Sequence, residues 1–404
     1  MEGIKMTGLT TYDALPPKVQ AYYDKRFLLK RKQDLQFYQF GQKRSLPNGV
    51  GKTVYFSRIQ PLNKVTSALT DAVASESPYS IGGLTLAGRQ SLSAVEISAT
   101  VAMWGDYITV SRLTDLTCLN GALTEKVDAV ADQAARSVDY EVSTTAVGKG
   151  LGRMRADADA TYTVAGTASG GSTTTIVDAG ILTQADSAWV GAYVVVTEGT
   201  NYGEVRIVTA SDQSDTSITF AAMPVACDTT TKYRVVSTTG LAATDVPTTA
   251  NVRLALRYLK RANTPRYENG MFIGFVNPET DYDWFGDTTF VAAGEYKDSV
   301  DMLYTGEIGK RLGIRWINAS QVQRETITTG ALDEDGAIHC VPIIGKESYG
   351  VVELEGAGKK IYVKTPEQLA QPIPMFGSVG WESGFVAKAL NGNFGINIMC
   401  GATA

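Results

Sequence analysis

Histidine is nearly absent from this sequence: the 404 residues contain one, His339, set in the apolar run Ala337–Ile344. Without a second imidazole there is no multi-histidine metal site, and no Ser-His or Cys-His nucleophile can be built away from that one position. A lone histidine in an apolar strand reads as a core residue with its nitrogens satisfied locally. Cysteine is scarce as well. Cys118, Cys227, Cys340 and Cys400 are far apart and form no CxxC pair, so they read as reduced, buried thiols of a cytosolic chain. No apolar run approaches the roughly 18 residues that a membrane helix requires. The N-terminal stretch MEGIKMTGLTTYDALPPK has no apolar signal core, so secretion is not expected.

The common phosphate and cation motifs are missing too. Gly49-Val-Gly-Lys-Thr53 resembles the end of a phosphate loop, but Leu46 stands where the first glycine belongs and a strand follows instead of a helix. Gly148-Lys-Gly-Leu-Gly152 follows a helix rather than opening one, and reads as a hinge. Asp333-Glu-Asp-Gly336 lacks the spacing of a calcium loop and reads as an acidic hairpin turn. No catalytic residues, cofactor or metal are therefore expected, and the chain reads as something other than an enzyme.

What is present is an ordinary apolar fraction of 44%, a charged fraction of 20%, and 40 glycines among many Ser and Thr residues. The length suits two or three domains with a sizeable core, and the composition leans toward strands and turns. The formal net charge of −5 does not suit a dedicated nucleic-acid binder, but the charge is unevenly spread. Lys18–Arg44 carries eight basic residues (Lys18, Lys25, Arg26, Lys30, Arg31, Lys32, Lys43, Arg44) against Asp24 and Asp34, a balance of +6. Arg155–Gly240 carries nine acidic residues against four basic ones, a balance of −5.

The strongest periodic signal runs from Asp115 to Val147. Leu116, Leu119, Leu123, Val127, Val130, Ala134, Val138, Val142 and Ala146 recur at gaps of three and four, the stripe of one long α-helix. Thr114 or Asp115 can cap its start, and Gly148 and Gly150 are placed to end it. The rod would be roughly 50 Å long at 1.5 Å per residue. Its Ala- and Val-rich stripe lets a sheet lie close. Asp128, Asp132, Arg136 and Asp139 fall off the stripe, toward solvent or a partner.

Around this helix the chain falls into segments. Residues 1–48 read as an N-terminal arm, loose at first, then a basic amphipathic helix after Pro16-Pro17. Tyr22, Phe27, Leu28, Phe37 and Phe40 make it too apolar for a solvated tail, which favours contact with a neighbouring subunit over contact with nucleic acid. Residues 49–110 hold strands Lys52–Gln60 and Ser93–Val110, joined by Pro61–Leu92, a long stretch with few large apolar side chains. Such a loop cannot offset its ordering entropy within one monomer, so it is expected to be a two-stranded arm ordered on another chain. Residues 111–152 contain the spine helix.

Residues 153–243 read as an inserted small all-β domain, with strands at Tyr162–Val164, Thr174–Val177, Ala192–Thr197, Glu204–Thr209, Ser217–Phe220 and Lys232–Val236. Residues 244–375 read as the axial domain and resume the host with a helix at Thr248–Ala262, short helices at Asp281–Phe285 and Val300–Ile308, and strands at Met271–Val276, Ile314–Ile317, Ile338–Ile344, Gly350–Leu354 and Ile361–Val363. Residues 376–404 read as a C-terminal hairpin, Val379–Leu390 and Phe394–Cys400, turning at Asn391-Gly392 in a type I′ turn. The irregular alternation of helix and strand indicates an α+β class.

The run Leu9-Thr-Thr-Tyr-Asp13 through Ala21-Tyr-Tyr-Asp-Lys-Arg-Phe-Leu-Leu29, then Phe40-Gly-Gln-Lys-Arg44 and Gly51-Lys-Thr-Val-Tyr-Phe56, resembles the phage N-four-type major capsid protein family. Ser111–Gly121, Phe275-Val-Asn-Pro278 and Gly377–Gly401 add to that likeness. The order of arm, extended loop, spine helix, peripheral sheet and axial domain resembles the Hong Kong 97-like coat fold of tailed-phage capsid proteins and encapsulins. Within the insertion, Ala188-Trp-Val-Gly-Ala192, Gly203-Glu-Val-Arg-Ile-Val208 and Tyr233-Arg-Val235 are similar to a small β module of phage structural proteins.

The resemblance implies a subunit that assembles with copies of itself, as hexamers and pentamers, into an icosahedral shell around double-stranded DNA. It implies a portal, and decoration or scaffolding proteins, as further partners. Assembly would take place in the bacterial cytoplasm, the protein would reside in the virion, and no membrane would be involved. Lys25, Arg26 and Arg31 of the arm, with Tyr55, Arg58 and Trp104 of the strands beside the extended loop, are the candidate subunit-interface residues. An encapsulin-like compartment shell shares the fold, but the insertion and the N-terminal likeness favour a virion. A tail or adhesin protein would use the insertion as a receptor-binding head, but the spine helix does not suit a trimeric fibre.

Overall fold

The computed structural model describes residues 35–60, 94–113, 122–157, 160–267, 270–286, 310–326, 337–356, 360–364, 373 and 375–402. The basic helix, the loop 61–92, the start of the spine, the expected helix at 300–308 and the acidic turn at 333–336 lie outside these residues.

The spine is an α-helix over Ala122–Glu141 that widens into a π-helical stretch, Val142–Gly148. Every expected stripe residue from Val127 onward is buried, and Ala131, Ala135 and Val147 join them. The stripe is wider than one sheet requires because two sheets use it. One core unites Val127, Val130, Ala134, Val138, Val142 and Ala146 with residues from a peripheral sheet on one side and an axial sheet on the other. Side chains no larger than valine let both sheets approach the rod closely, and each buried valine contributes about 1.5–3 kcal/mol.

The helix ends without a left-handed glycine. Asn397 Nδ2 donates to the carbonyls of Val147 and Gly148 at 2.9 and 3.0 Å, and Arg153 Nη2 donates to Gly148 O at 2.8 Å. These donors satisfy carbonyls that a helix end otherwise leaves open. Gly148 is glycine for space, since a Cβ there would lie 1.3 Å from Gln323 Oε1.

The peripheral sheet centres on the 14-residue strand Phe376–Ala389. Ala102–Ser111 pairs along one edge of it, and Lys360–Lys364 and Tyr349–Leu354 along the other, with Gln42–Leu46 added in parallel outside Tyr349–Leu354. Ser93–Val110 is thus two strands. Ala94–Thr100 pairs with Thr53–Ile59 in a separate ribbon, and Ala102–Ser111 joins the sheet.

The axial sheet runs Lys310–Arg311, Ile314–Asn318, Phe272–Val276, Ala337–Ile344, Gly395–Cys400, Gly152–Arg155, with Arg324–Thr326 beside Ala337–Ile344. Its central strands are buried along their whole length because the spine covers one face and the helix Thr249–Arg261 covers the other. The inserted sheet has seven strands between Thr163 and Val236 and its own core around Ile176, Trp189, Val194, Val196, Ile218 and Val235. Its first and last strands pair, with Thr163 opposite Val236, so the chain enters and leaves at neighbouring points.

Further expectations are corrected. The C-terminal strands do not form a hairpin: Phe376–Ala389 belongs to the peripheral sheet and Gly395–Cys400 to the axial one. Asn391 is extended rather than left-handed and caps a 3₁₀ turn, Gly392–Phe394. Gly392 is needed because a Cβ there would meet Val205 Cγ2 at 2.3 Å. The boundaries at 153 and 375 also shift. Gly152–Arg155 is an edge strand of the axial sheet, and Tyr349–Leu354 and Lys360–Lys364, expected in the axial segment, lie in the peripheral sheet. Phe37 and Phe40 do not reach for a neighbour. Their rings pack on Phe275, with centroids 4.1 and 5.8 Å away.

Asp139 does not face solvent: it is fully buried, and its Oδ1 accepts from the backbone N–H of Phe37 at 2.8 Å and of Tyr38 at 3.1 Å. This side chain anchors the inner end of the N-terminal segment to the spine. Asp139→Ala is expected to lower unfolding stability by about 2–4 kcal/mol, because it strands buried donors. Urea titration checks this, and a change below about 0.5 kcal/mol would show the contact to be incidental.

Candidate assembly surface

The strand Ala102–Ser111 has two unlike faces and, among the described residues, one unpaired edge. Trp104, Asp106, Ile108 and Val110 alternate toward the spine. Val110 is buried, Ile108 packs on the main core, Asp106 Oδ2 accepts from Gln133 of the helix at 2.5 Å, and the Trp104 ring lies 5.9 Å from that of Phe385. Met103 and Tyr107, on the other face, are 53% and 68% exposed. The register continues this outer face across the sheet: Tyr107 stands opposite Gly380, and Gly380 opposite Tyr362. Phe376 stands opposite Ser111, where Arg112 N donates to Met375 O at 2.8 Å.

Met103, Tyr107, Tyr362 and Phe376, which the register sets on this face, are all exposed, and Leu113 and Met375 at its end are exposed as well. Apolar patches of this kind on soluble proteins mark contact surfaces. Among the described residues Ala102–Ser111 pairs on one side only, leaving a 10-residue edge without lysine or proline to blunt it. An unprotected edge of that length is a template for another strand.

The ribbon Thr53–Ile59 and Ala94–Thr100 leaves the body nearby. Phe56 and Ala99 root it in a small cluster with Leu46, Val352 and Leu390. Arg44 Nη1 donates to Tyr55 O at 3.0 Å, and its guanidinium lies 4.6 Å from the Phe56 ring. Tyr55, Ile59 and Val50 are exposed.

Of the candidate interface residues, Lys25, Arg26 and Arg31 lie outside the described residues. Tyr55 and Trp104 are exposed, on the ribbon and on the open strand respectively. Arg58 points inward instead. Its side chain is 7% exposed and spends its donors within the chain, on Glu204 at 2.5 Å and on the carbonyls of Leu390 and Gly203. Sequence reasoning missed Tyr107, Tyr362 and Phe376. The period-two alternation in Ala102–Ser111 carried the signal for Tyr107, but the facing strands had to be paired before the patch was visible.

The residues with chemical potential are held in structural roles. His339 is fully buried, with Nδ1 2.5 Å from Asn277 Nδ2. Burial pushes the Cys340 thiol up to about 12 and raises the Cys400 thiol well above its ordinary value, so neither is a thiolate near neutrality. Arg153, fully buried, stacks 3.4 Å from the Tyr193 ring and pairs with Glu325 at 2.6 Å, while Tyr193 donates to the same carboxylate at 2.8 Å. This cluster joins the spine end, the axial sheet and the insertion. No group of metal-ligating residues occurs among the described residues, and no described helix is long and apolar enough to cross a membrane.

No protein-family model matches the sequence, and no curated protein does. Solved structures do. The chain is similar to the capsid of Ralstonia phage GP4, with 12% identity, a TM-score of 0.54, and 92% of each chain covered. It is similar to the capsid of cyanophage P-SCSP1u, with 11% identity, a TM-score of 0.50, and 92% of this chain and 88% of that one covered. Two sheets clasping one spine helix, with a ribbon leaving at the side, therefore constitute the Hong Kong 97-like fold of phage capsid proteins.

Proposed function

We propose that this chain is the major capsid protein of a tailed bacteriophage, a non-enzymatic subunit that assembles with copies of itself into an icosahedral shell enclosing double-stranded DNA. The observation that carries the reading is the exposed apolar row beside a 10-residue strand that is unpaired on one side among the described residues, on a fold shared with phage capsids. Such a surface is costly on a monomer and useful on a subunit that meets neighbours in hexamers and pentamers. The extended loop and the exposed ribbon residues Tyr55 and Ile59 supply a second contact. The basic arm faces a neighbour or the packaged DNA, and the acidic insertion sits on the outer surface, away from polyanionic DNA. A portal, together with decoration or scaffolding proteins, completes the partners, and assembly takes place in the host cytoplasm.

Negative-stain microscopy of the purified protein tests the reading: closed shells are expected, and a permanently monomeric protein at high concentration would overturn it. Deleting Asn63–Arg89 is expected to leave a soluble, folded monomer that forms no shells, and normal shells from that deletion would refute the intersubunit role of the loop. Tyr107→Glu should change unfolding stability by less than about 1 kcal/mol, as exposed substitutions do, yet block assembly in light scattering. Reversing the charges of Lys25, Arg26 and Arg31 should impair even DNA-free shells. If empty shells form normally and only packaging suffers, the arm contacts DNA rather than a neighbour.

A further inference from the structure

The ribbon and the insertion are far apart in sequence but meet at a buried clasp. Arg58 is the next-to-last residue of the ribbon strand Thr53–Ile59. Its Nη2 pairs with Glu204 Oε1 at 2.5 Å, and the two side chains are 7% and 9% exposed. Its Nη1 donates to Leu390 O at 3.0 Å and Gly203 O at 3.3 Å. The other oxygen of Glu204 pairs with Arg206 at 2.7 Å. Gly203 and Glu204 belong to the turn before the inserted strand Val205–Asp212, and Leu390 to the crossover between the two host sheets.

The clasp is built tightly. Gly203 has φ +81°, and a Cβ there would lie 2.2 Å from Asn391 Oδ1. Its carbonyl accepts from Gly392 N at 2.8 Å as well as from Arg58. Asn393 Nδ2 donates to Val196 O of the insertion at 2.8 Å. The apolar root of the ribbon grips it at Phe56 and Ala99, whereas the arginine fork grips it beyond that root, on the side of the insertion. Two grips on a two-stranded ribbon fix a direction, and one leaves it free to swing. A buried ion pair adds little net stability but tolerates few geometries, so it serves orientation better than adhesion. A planar guanidinium that satisfies a carboxylate and two carbonyls together is stricter still.

We propose that the inserted sheet is a bracket. Through the clasp of Arg58 by Glu204, Gly203 and Leu390, it sets the angle at which the ribbon leaves the subunit. Resting on the shell reading above, the insertion thereby governs the geometry of subunit contact, which makes Arg58 and Glu204 positioning residues for assembly.

The test is Glu204→Gln in the full chain, with Arg58→Lys as a milder variant that keeps the charge but loses the fork. Hydrogen exchange of free subunits is measured first. Amides of 53–59 and 94–100 should exchange at least about tenfold faster, while those of 193–198 and 205–212 and the thermal midpoint stay near wild type. A merely structural role would raise exchange in the insertion or lower the midpoint without singling out the ribbon. Shells of the variants should then be heterogeneous in diameter by electron microscopy, less so for Arg58→Lys. Unchanged ribbon exchange overturns the proposal, and so do faster exchange and shells identical to wild type. The exchange measurement reads free subunits, so wild-type protein that forms no shell would sink the reading of the previous subsection while leaving this one to stand or fall on the ribbon.

Discussion

The structure depends on a helix thin enough to be clasped from both sides. A stripe of valines and alanines lets the peripheral and axial sheets lie against one rod, and the three elements share a single core. Leucine or phenylalanine at the stripe positions from Val127 to Ala146 would hold the sheets further away and open voids beside every smaller neighbour, which protein interiors tolerate poorly. This constraint explains the apolar character of the axial strands. With the spine on one face and the helix Thr249–Arg261 on the other, Ala337–Ile344 and Gly395–Cys400 have no face left for polar side chains. His339 and Asn397 are present there only because Asn277 and the last carbonyls of the spine engage them.

Where the three sheets meet, arginine replaces leucine as the joining residue. Arg58 ties the ribbon to the insertion, Arg153 ties the spine end to Glu325 and stacks on Tyr193, and Arg155 donates to the carbonyls of Ser237 and Thr239. Arg234 lies over the Tyr258 ring at 4.3 Å. Each spans the boundary between the insertion and the host. A flat cation that stacks on one side and donates in a fork on the other can bridge surfaces too irregular for close apolar packing. The inserted sheet, although it has its own core, is therefore not a loose appendage.

Much of this architecture was legible in the sequence, and the misses share a cause. The spine stripe, the inserted strands Ser217–Phe220 and Lys232–Val236 and the buried histidine were visible because each depends on local periodicity or on one residue's chemistry. Asn391-Gly392 misled because a strong local turn signal was overridden by crowding: the approach of Val205 demanded a glycine for space, and two different sheets demanded a crossover rather than a hairpin. Asp139 looked solvent-facing because its true partners, the backbone N–H groups of Phe37 and Tyr38, lie about a hundred residues away. Arg58 looked like an exposed strand residue for the same reason, its partners being Glu204 and Leu390. Period and propensity describe one element, and these residues are decided by the meeting of two or three.

Under the proposed shell function, the contrast between interior and edge sets how a subunit would remain dispersed before it assembles. Its buried joints are specific and few, whereas its open face is broad and mild. The exposed row contains tyrosines and methionines rather than a block of leucine and isoleucine, and Gly380 leaves room between Tyr107 and Tyr362. Tyrosine offers a large apolar ring at low cost in side-chain entropy, while its hydroxyl keeps the surface wettable. With a net charge of −5, free subunits also repel one another weakly. In the proposed shell each contact could be individually weak, because closure holds every copy by several neighbours at once. That arrangement tolerates correction of wrongly placed subunits only if every subunit presents its contacts at the same angle. On the proposed bracket, the arginine joints would supply this uniformity, and a looser subunit with the same face would aggregate rather than close.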